Sequence, residues 1–419
     1  MFTYLFIFAL LASYALRLWL NQRQIRYVAQ HRSSVPEQFR ERINLADHQR
    51  AADYTVAQCR LNFFEFSIDT LLLLSLTLMG GLNWLNQTLQ TYLGNGFIYG
   101  IGLILSVALI NLLIDLPFSI YRQFSIEEKF GFNRMRAKLF ITDFLRSLLL
   151  GLIIGVPVLF AILWMMRHTG ENWWFWTWLF WISFSVLMMI VVPKFIMPLY
   201  NRFTPLADES LRTRIEGLLQ RCGFKSKGVF VMDGSKRSNH GNAFFTGLGH
   251  AKRIVFFDTL IEKLSGDEIE AVLAHELGHF HHRHIIKRFV VSFIASFFGL
   301  ALLGWLMQQT WFYTDLGITS SLHGQHHALA LVLFFLVLPV FTFFITPLGN
   351  LTSRKHEFQA DAFAASNTKA ENLINALLKL YQDNATTLTP DPIYSKFYAS
   401  HPTASQRIEH LEQLAKHAV

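Results

Sequence analysis

Cysteine is almost missing from this 419-residue chain, which holds only Cys59 and Cys222. Two distant thiols exclude a disulfide-stapled framework and a cysteine-built zinc site, and they fit a reducing compartment. Charge is scarce too: Asp, Glu, Lys and Arg make up 16% of the residues against roughly a quarter in soluble domains, while hydrophobic residues reach 52%. That balance excludes a water-soluble globule of this size. Internal repeats and low-complexity stretches are lacking, which removes solenoids and disordered tails. The net charge of +8 is spread over loops without a nucleic-acid motif, so it suits anionic lipid headgroups and predicts no nucleic-acid partner.

What is present in quantity is long apolar sequence. Runs able to cross a hydrocarbon core of ~30 Å fall at about residues 2–20, 68–85, 97–114, 148–166, 173–192, 289–307 and 328–348. About seven spans put the two termini on opposite sides of the bilayer. Pro157 and Pro339 lie inside such runs, which membrane helices tolerate. Trp173, Trp174, Trp176 and Trp178 read as an interfacial anchor. Glu65, Asp69 and Asp115 sit in or near apolar segments and are expected to face a wet interior or each other.

Missing cations orient the chain. Lys and Arg are absent between the second and third runs and from Gln308 to Gln325. The loop after the first run instead holds Arg23, Arg26, Arg32, Arg40, Arg42, Arg50 and Arg60. The positive-inside rule then predicts an N-terminus outside or in the lumen and a cytosolic C-terminus. No cation precedes the first apolar run, so it reads as a permanent helix rather than a signal peptide. The expected location is the endoplasmic reticulum in a eukaryote or the inner membrane in a bacterium.

Against this background one polar stretch stands out, His275-Glu276-Leu277-Gly278-His279. On a helix the two imidazoles share a face and can ligate one ion, while Glu276 points beside it and can take a proton from a water that zinc has acidified. Ser265-Gly266-Asp267-Glu268 is a capping box with acids in the first turn, so a helix is expected to begin here. A hydrolytic zinc site wants three protein ligands and an open position, and Glu357 is the best third candidate. Asp361 lies one turn after Glu357 and could accept the spare N–H of a ligand histidine. His282, three residues after His279, also falls on the ligand face, though a solvated or interfacial imidazole is the plainer reading.

Four segments follow from this pass. Residues 1–200 form a transmembrane block with cytosolic loops, 201–286 a soluble zinc protease domain, 287–350 a transmembrane hairpin, and 351–419 a cytosolic helical part with the third ligand. Within the second, a helix is expected with Leu211, Ile215, Leu218 and Leu219 on one side, and strands at Gly228 to Met232 and Arg253 to Phe257. The predicted fold is an all-α polytopic membrane protein of about seven transmembrane helices, with a mainly helical zinc metalloprotease domain carrying a small β-sheet.

Taken together, these residues resemble the type I CaaX prenyl proteases, integral-membrane zinc endopeptidases. The resemblance spans nearly the whole chain through Leu116-Pro117-Phe118-Ser119, Ile126-Glu127-Glu128-Lys129, Gly131-Phe132-Asn133, the run Tyr200 to Leu206, Gly234 to Ser238, Asn242-Ala243-Phe244, His275 to His279, Glu357 to Asp361 and Ser400-His401-Pro402. It implies a ring of membrane helices around a chamber capped by the protease domain, and hydrolytic removal of the three residues after a prenylated cysteine. It implies that His275, His279 and Glu357 bind one zinc ion per chain, with Glu276 as general base. Asn242 and Ala243 would hold substrate backbone, His401 would steady the oxyanion, and Asp361 and Arg407 would support the site. The expected partners are a peptide or protein substrate, prenylated or not, and the lipid bilayer.

Other readings stay open. A membrane quality-control protease acting on misfolded or unprenylated proteins would use the same machinery. A non-enzymatic zinc-binding scaffold would explain the histidines but not Glu276. An intramembrane zinc protease is disfavoured, because Asp267, Glu268, Glu270 and His281 to His284 flank the motif with charge.

Overall fold

The computed structural model describes residues 1–246, 253–319 and 326–417. In chain order the membrane-embedded helices are α1 (Phe2–His31), α2 (Leu45–Leu76), α3 (Gly81–Leu93), α4 (Phe97–Tyr121), α5 (Ala137–His168) and α6 (Trp173–Val191). Then come the short α7 (Met197–Tyr200), β1 (Phe203–Pro205), α8 (Glu209–Arg221), β2 (Val229–Met232), β3 (Ala243–Thr246), β4 (Arg253–Phe257) and α9 (Asp258–Lys263). The remainder is helical: α10 (Gly266–His281), α11 (His284–Leu306), α12 (Thr310–Thr314), α13 (His327–Thr342), α14 (Thr346–Asn367), α15 (Ala370–Asp383), α16 (Pro392–Tyr398) and α17 (Ala404–His417).

Among the described residues six helices are long and apolar enough to span a membrane, and the bent pair α2 and α3 makes a seventh. The expected run at 68–85 is therefore not one straight helix: it breaks after Leu76 and resumes at Gly81 with a bend of 54°. The left-handed Gly80 (φ 79°) permits the turn. Gly317 (φ 85°) presses against the break, and a Cβ there would run into the Thr77 carbonyl. The tryptophan cluster also departs from expectation. Trp176 is exposed, but Trp173 is buried, Trp174 packs edge-on against Phe297, and the Trp178 indole donates to the Phe293 carbonyl at 2.9 Å. The cluster fastens α6 to α11 more than it anchors the chain in the interface.

Burial on the spans collects at the end remote from α10. Leu163 and Met166 of α5, Trp173 of α6, Leu303 and Leu306 of α11 and Ala328 to Phe334 of α13 form one core. Nearer α10, spans expose apolar residues such as Leu145, Leu152, Ile190 and Val290. The helices close on one another at one end and part toward the other. Glu65, in the parting half, makes a bidentate pair with Arg122 at 2.7 Å, so a charge placed among apolar residues finds its counterion.

A second core lies under the small sheet, where Leu211, Ile215, Leu218 and Leu219 of α8 pack with Ile254, Phe256, Ile269 and Leu273. All four expected leucine and isoleucine positions of α8 are buried. The sheet has four strands in the order β1-β2-β4-β3, with β2 and β4 parallel and both edge pairs antiparallel. The two expected strands are its centre. The edge strands escaped the sequence reading: β1 has three residues and ends in Pro205, and β3 lies in the stretch Asn239 to Gly249 that reads as the connection between the two central strands.

The loop from Gly234 to Gly241 ties this part to the membrane block. Arg237 donates to Asp143 at 2.8 Å, Asn201 at 2.7 Å and the Tyr200 carbonyl at 2.8 Å. His240 stacks on Phe132 and sits between Glu127 at 3.4 Å and Asn384 at 3.1 Å.

Candidate metal centre

Helix α10 begins as its sequence demands. The Ser265 hydroxyl accepts from the Glu268 amide, and the Glu268 carboxylate accepts from the Ser265 amide at 2.7 Å, closing the capping box. The helix buries Ile269, Val272, Leu273 and Leu277, which turns His275, Glu276 and His279 toward α14. There Gly278 lets the two backbones touch: a Cβ on it would lie 2.8 Å from the Cα of Ala360. On the other side, α13 continues through a short 3-10 turn into α14, so the last span carries Glu357 out to α10.

His275, His279 and Glu357 come together, and their ligand atoms lie within 4.8 Å of one another. The two Nε2 atoms are 3.3 Å apart, and each lies 3.4 Å from a Glu357 oxygen. Two donors each ~2.05 Å from a tetrahedral ion stand about 3.3 Å apart, so these separations suit zinc. Glu357 is 2% exposed, and its Oε2 is buried without a hydrogen-bond partner. A buried anionic oxygen facing two imidazole lone pairs is unfavourable unless a cation joins them.

The outer nitrogens are held so that those lone pairs face inward. His275 Nδ1 donates to Asp361 Oδ1 at 2.8 Å. Asp361, fully buried, accepts two further bonds from Arg407, at 2.9 Å from Nε and 2.5 Å from Nη2. His284 Nε2 donates to Gln359 Oε1 at 2.9 Å, which leaves its Nδ1 to accept from His279 Nδ1 at 3.0 Å. With an ion bound, His275 and His279 would each carry their proton on the outer nitrogen and turn an unprotonated Nε2 inward.

The sequence reading missed His284 and Gln359. It pointed to His282 because a continued helix would bring that residue round to the ligand face. Instead α10 ends at His281, His282 caps it, and Arg283 adopts a left-handed conformation (φ 56°) that swings His284 back beneath His279. His282 stacks on His284 with ring centroids 5.5 Å apart and lies outside the metal cluster. Four histidines within six residues, His279 to His284, were the signal, but no spacing rule gives the left-handed turn at Arg283.

Other expected residues surround the cluster. Glu276 is half-buried. Burial raises its carboxyl above the ordinary glutamate range, with His275 and Arg407 opposing the rise and Glu357 adding to it. His401 Nε2 lies 3.5 Å from Glu357 Oε1 on the exposed rim, with Ser400 Oγ 3.0 Å from its Nδ1. Asn242 accepts from the Ala243 amide at 2.8 Å just where β3 starts. β3 is an edge of the sheet, paired on one side only. Its Phe244 and Phe245 line a cavity of ≈ 1190 Å³ together with His279, Val290 and Phe293 of α11, and Met188 and Met189 of α6.

Residues 205–415 match the family model described as Peptidase family M48, and residues 24–202 match CAAX prenyl protease N-terminal, five membrane helices. The chain belongs to peptidase family M48. Similar proteins include CAAX prenyl protease 1 of Saccharomyces cerevisiae, 39% identical over 73% of this chain and 70% of that one. The CAAX prenyl protease 1 homolog of Dictyostelium discoideum is 33% identical over 94% and 93%. The crystal structure of S. mikatae Ste24p matches with a TM-score of 0.90 at 32% identity, covering 98% of this chain and 99% of that one. This M48 peptidase is an integral-membrane metallopeptidase of protein substrates.

Proposed function

We propose that this M48 peptidase is a zinc endopeptidase that removes the C-terminal tripeptide from prenylated CaaX proteins at the cytosolic membrane face. The observation that carries the reading is a shared wall: the large apolar cavity is lined both by Phe244 and Phe245 of the edge strand β3 and by His279 of the metal cluster. An extended peptide adds to a strand edge through main-chain hydrogen bonds, and a long hydrocarbon on that peptide needs an apolar wall beside it. Phe244, Phe289, Phe293, Met188 and Met189 supply that wall.

His275, His279 and Glu357 hold the ion, two imidazoles and one carboxylate being a set that suits zinc. Bound there, zinc would supply Lewis acidity and make water a usable nucleophile near neutral pH. Glu276 accepts the proton from the attacking water and returns it to the leaving amine; its burial-raised pKa brings it closer to working pH. His401, at the rim, donates to the developing oxyanion, a contribution of about 3 kcal/mol for a well-aimed donor. Asn242 and Ala243 hold substrate backbone at the head of β3. Asp361 and Arg407 fix His275.

Hydrolysis of matched peptides with and without a farnesyl group tests the substrate. Faster cleavage of the farnesylated peptide is expected, with both rates abolished by Glu276→Gln while bound zinc is retained. A strand edge also accepts unprenylated chains, so a quality-control role is the second reading; equal rates on the two peptides would select it.

A further inference from the structure

We propose that a second cavity, across the π-helical segment Val192–Ile196 from the large apolar cavity, is a headgroup site for an anionic phospholipid. It has a volume of ≈ 640 Å³ and is walled by Arg146, Arg202, Lys236 and Arg253. All four are exposed. They come from separate places: Arg146 from α5, Arg202 from the link between α7 and β1, Lys236 from the turn after β2, and Arg253 from the start of β4. Cations gathered from distant segments raise the local potential and concentrate an anion between them.

Little in the protein neutralises this cluster. Asp233 is the one carboxylate on the wall, and its Oδ1 accepts from the Arg202 amide at 2.7 Å. Arg146 lies 3.7 Å from Asp143, which Arg237 already holds at 2.8 Å. Among the described residues the side chains of Arg202, Lys236 and Arg253 have no carboxylate partner; Arg253 lies over the Phe230 ring.

Depth decides which anion fits. Arg146 stands just ahead of the apolar run 148–166 of α5, and the apolar run of α6 ends beside Pro193, which lines the cavity. The cavity is thus level with the ends of two hydrocarbon-spanning segments, where lipid phosphates reside. Pro193, Met197 and Leu199 complete its wall, and Leu199 and Phe195 are more than half exposed, as residues facing acyl chains would be. Pro193 and Met197 also line the larger apolar cavity that His279 reaches, so a headgroup held here braces the partition between them.

The test is equilibrium binding of fluorescent lipid to the full-length, metal-loaded protein in detergent micelles. Phosphatidylserine should bind and phosphatidylcholine should not. Arg202→Gln, Lys236→Gln and Arg253→Gln should each weaken phosphatidylserine by roughly five-fold, the weight of one surface cation. Lys236→Arg should keep the affinity, and so should Lys227→Gln, which removes an exposed cation outside the cavity. Equal binding of the two lipids, or equal losses from Lys227→Gln and Lys236→Gln, overturns the site. Binding of inorganic phosphate with no retention of lipid also overturns it, in favour of a free-anion site.

Discussion

Gly278 of α10 and Ala360 of α14 meet backbone to backbone, with room for no Cβ on the glycine. This contact sets the spacing of the two helices that bring His275 and His279 to Glu357. Gly278→Ala would improve helix propensity by about 1 kcal/mol, but forcing a methyl against the Ala360 backbone costs about 1–3 kcal/mol. The helices must separate. The expected outcome is lower thermal stability and metal retention reduced roughly ten-fold, read by metal analysis after dialysis against a graded chelator series. Unchanged retention would show that the contact does not govern the cluster.

Asp361 and Arg407 act on the same cluster through His275. Arg407→Gln leaves the buried Asp361 carboxylate without its bidentate partner, a loss of about 3–5 kcal/mol for a broken buried pair. Asp361→Asn keeps the shape but weakens the acceptor for His275 Nδ1, and should lower metal affinity about 10- to 100-fold. The first variant is checked by thermal unfolding in detergent and the second by metal titration. If Asp361→Asn bound metal like the parent, the Asp361 bond to His275 would not be tuning the ligand.

The capping box of α10 predicts an acid limb in stability. Glu268 is buried, and although burial alone would raise its pKa, bonds from Lys379 and Ser265 hold it below the ordinary glutamate value. With the folded pKa depressed, this contribution is fully present above the unfolded value near 4.3 and is lost as pH falls through the folded one. Glu268→Gln should flatten that part of the profile and leave the slope near neutrality unchanged. Thermal unfolding at stepped pH reads both.

Much of this was legible because membrane spans and an HExxH helix announce themselves by composition and spacing. Spans are long apolar runs, and α10 carries a capping box, an apolar stripe and two histidines at helical spacing. Glu357 was named by asking for a third ligand, and the structure places a carboxylate oxygen of it 3.4 Å from each imidazole Nε2. What escaped depended on backbone turns. Gly80 breaks the second span, Arg283 turns left-handed between two helices, and the edge strands hide beside Pro205 and inside a connecting stretch. The inward tryptophans escaped for another reason: an aromatic at the end of a span looks the same from sequence whether it meets lipid headgroups or a neighbouring helix.

The left-handed turn at Arg283 makes the sharpest distinction among the histidines. His284, held by Gln359, accepts the outer N–H of His279, whereas His282 caps the helix and touches no ligand atom of the cluster. His284→Phe keeps a ring of similar size but removes the acceptor, which frees His279 to take the wrong tautomer. Metal affinity should then fall about 10- to 100-fold, with His282→Phe close to the parent. Gln359→Ala should give an intermediate loss, because His284 keeps its place but loses the bond that fixes its own proton. The three variants, titrated with zinc against a competing chelator, carry opposite expectations at positions two apart. Equal effects at 282 and 284 would show that the His284 bond to His279 does not govern metal binding.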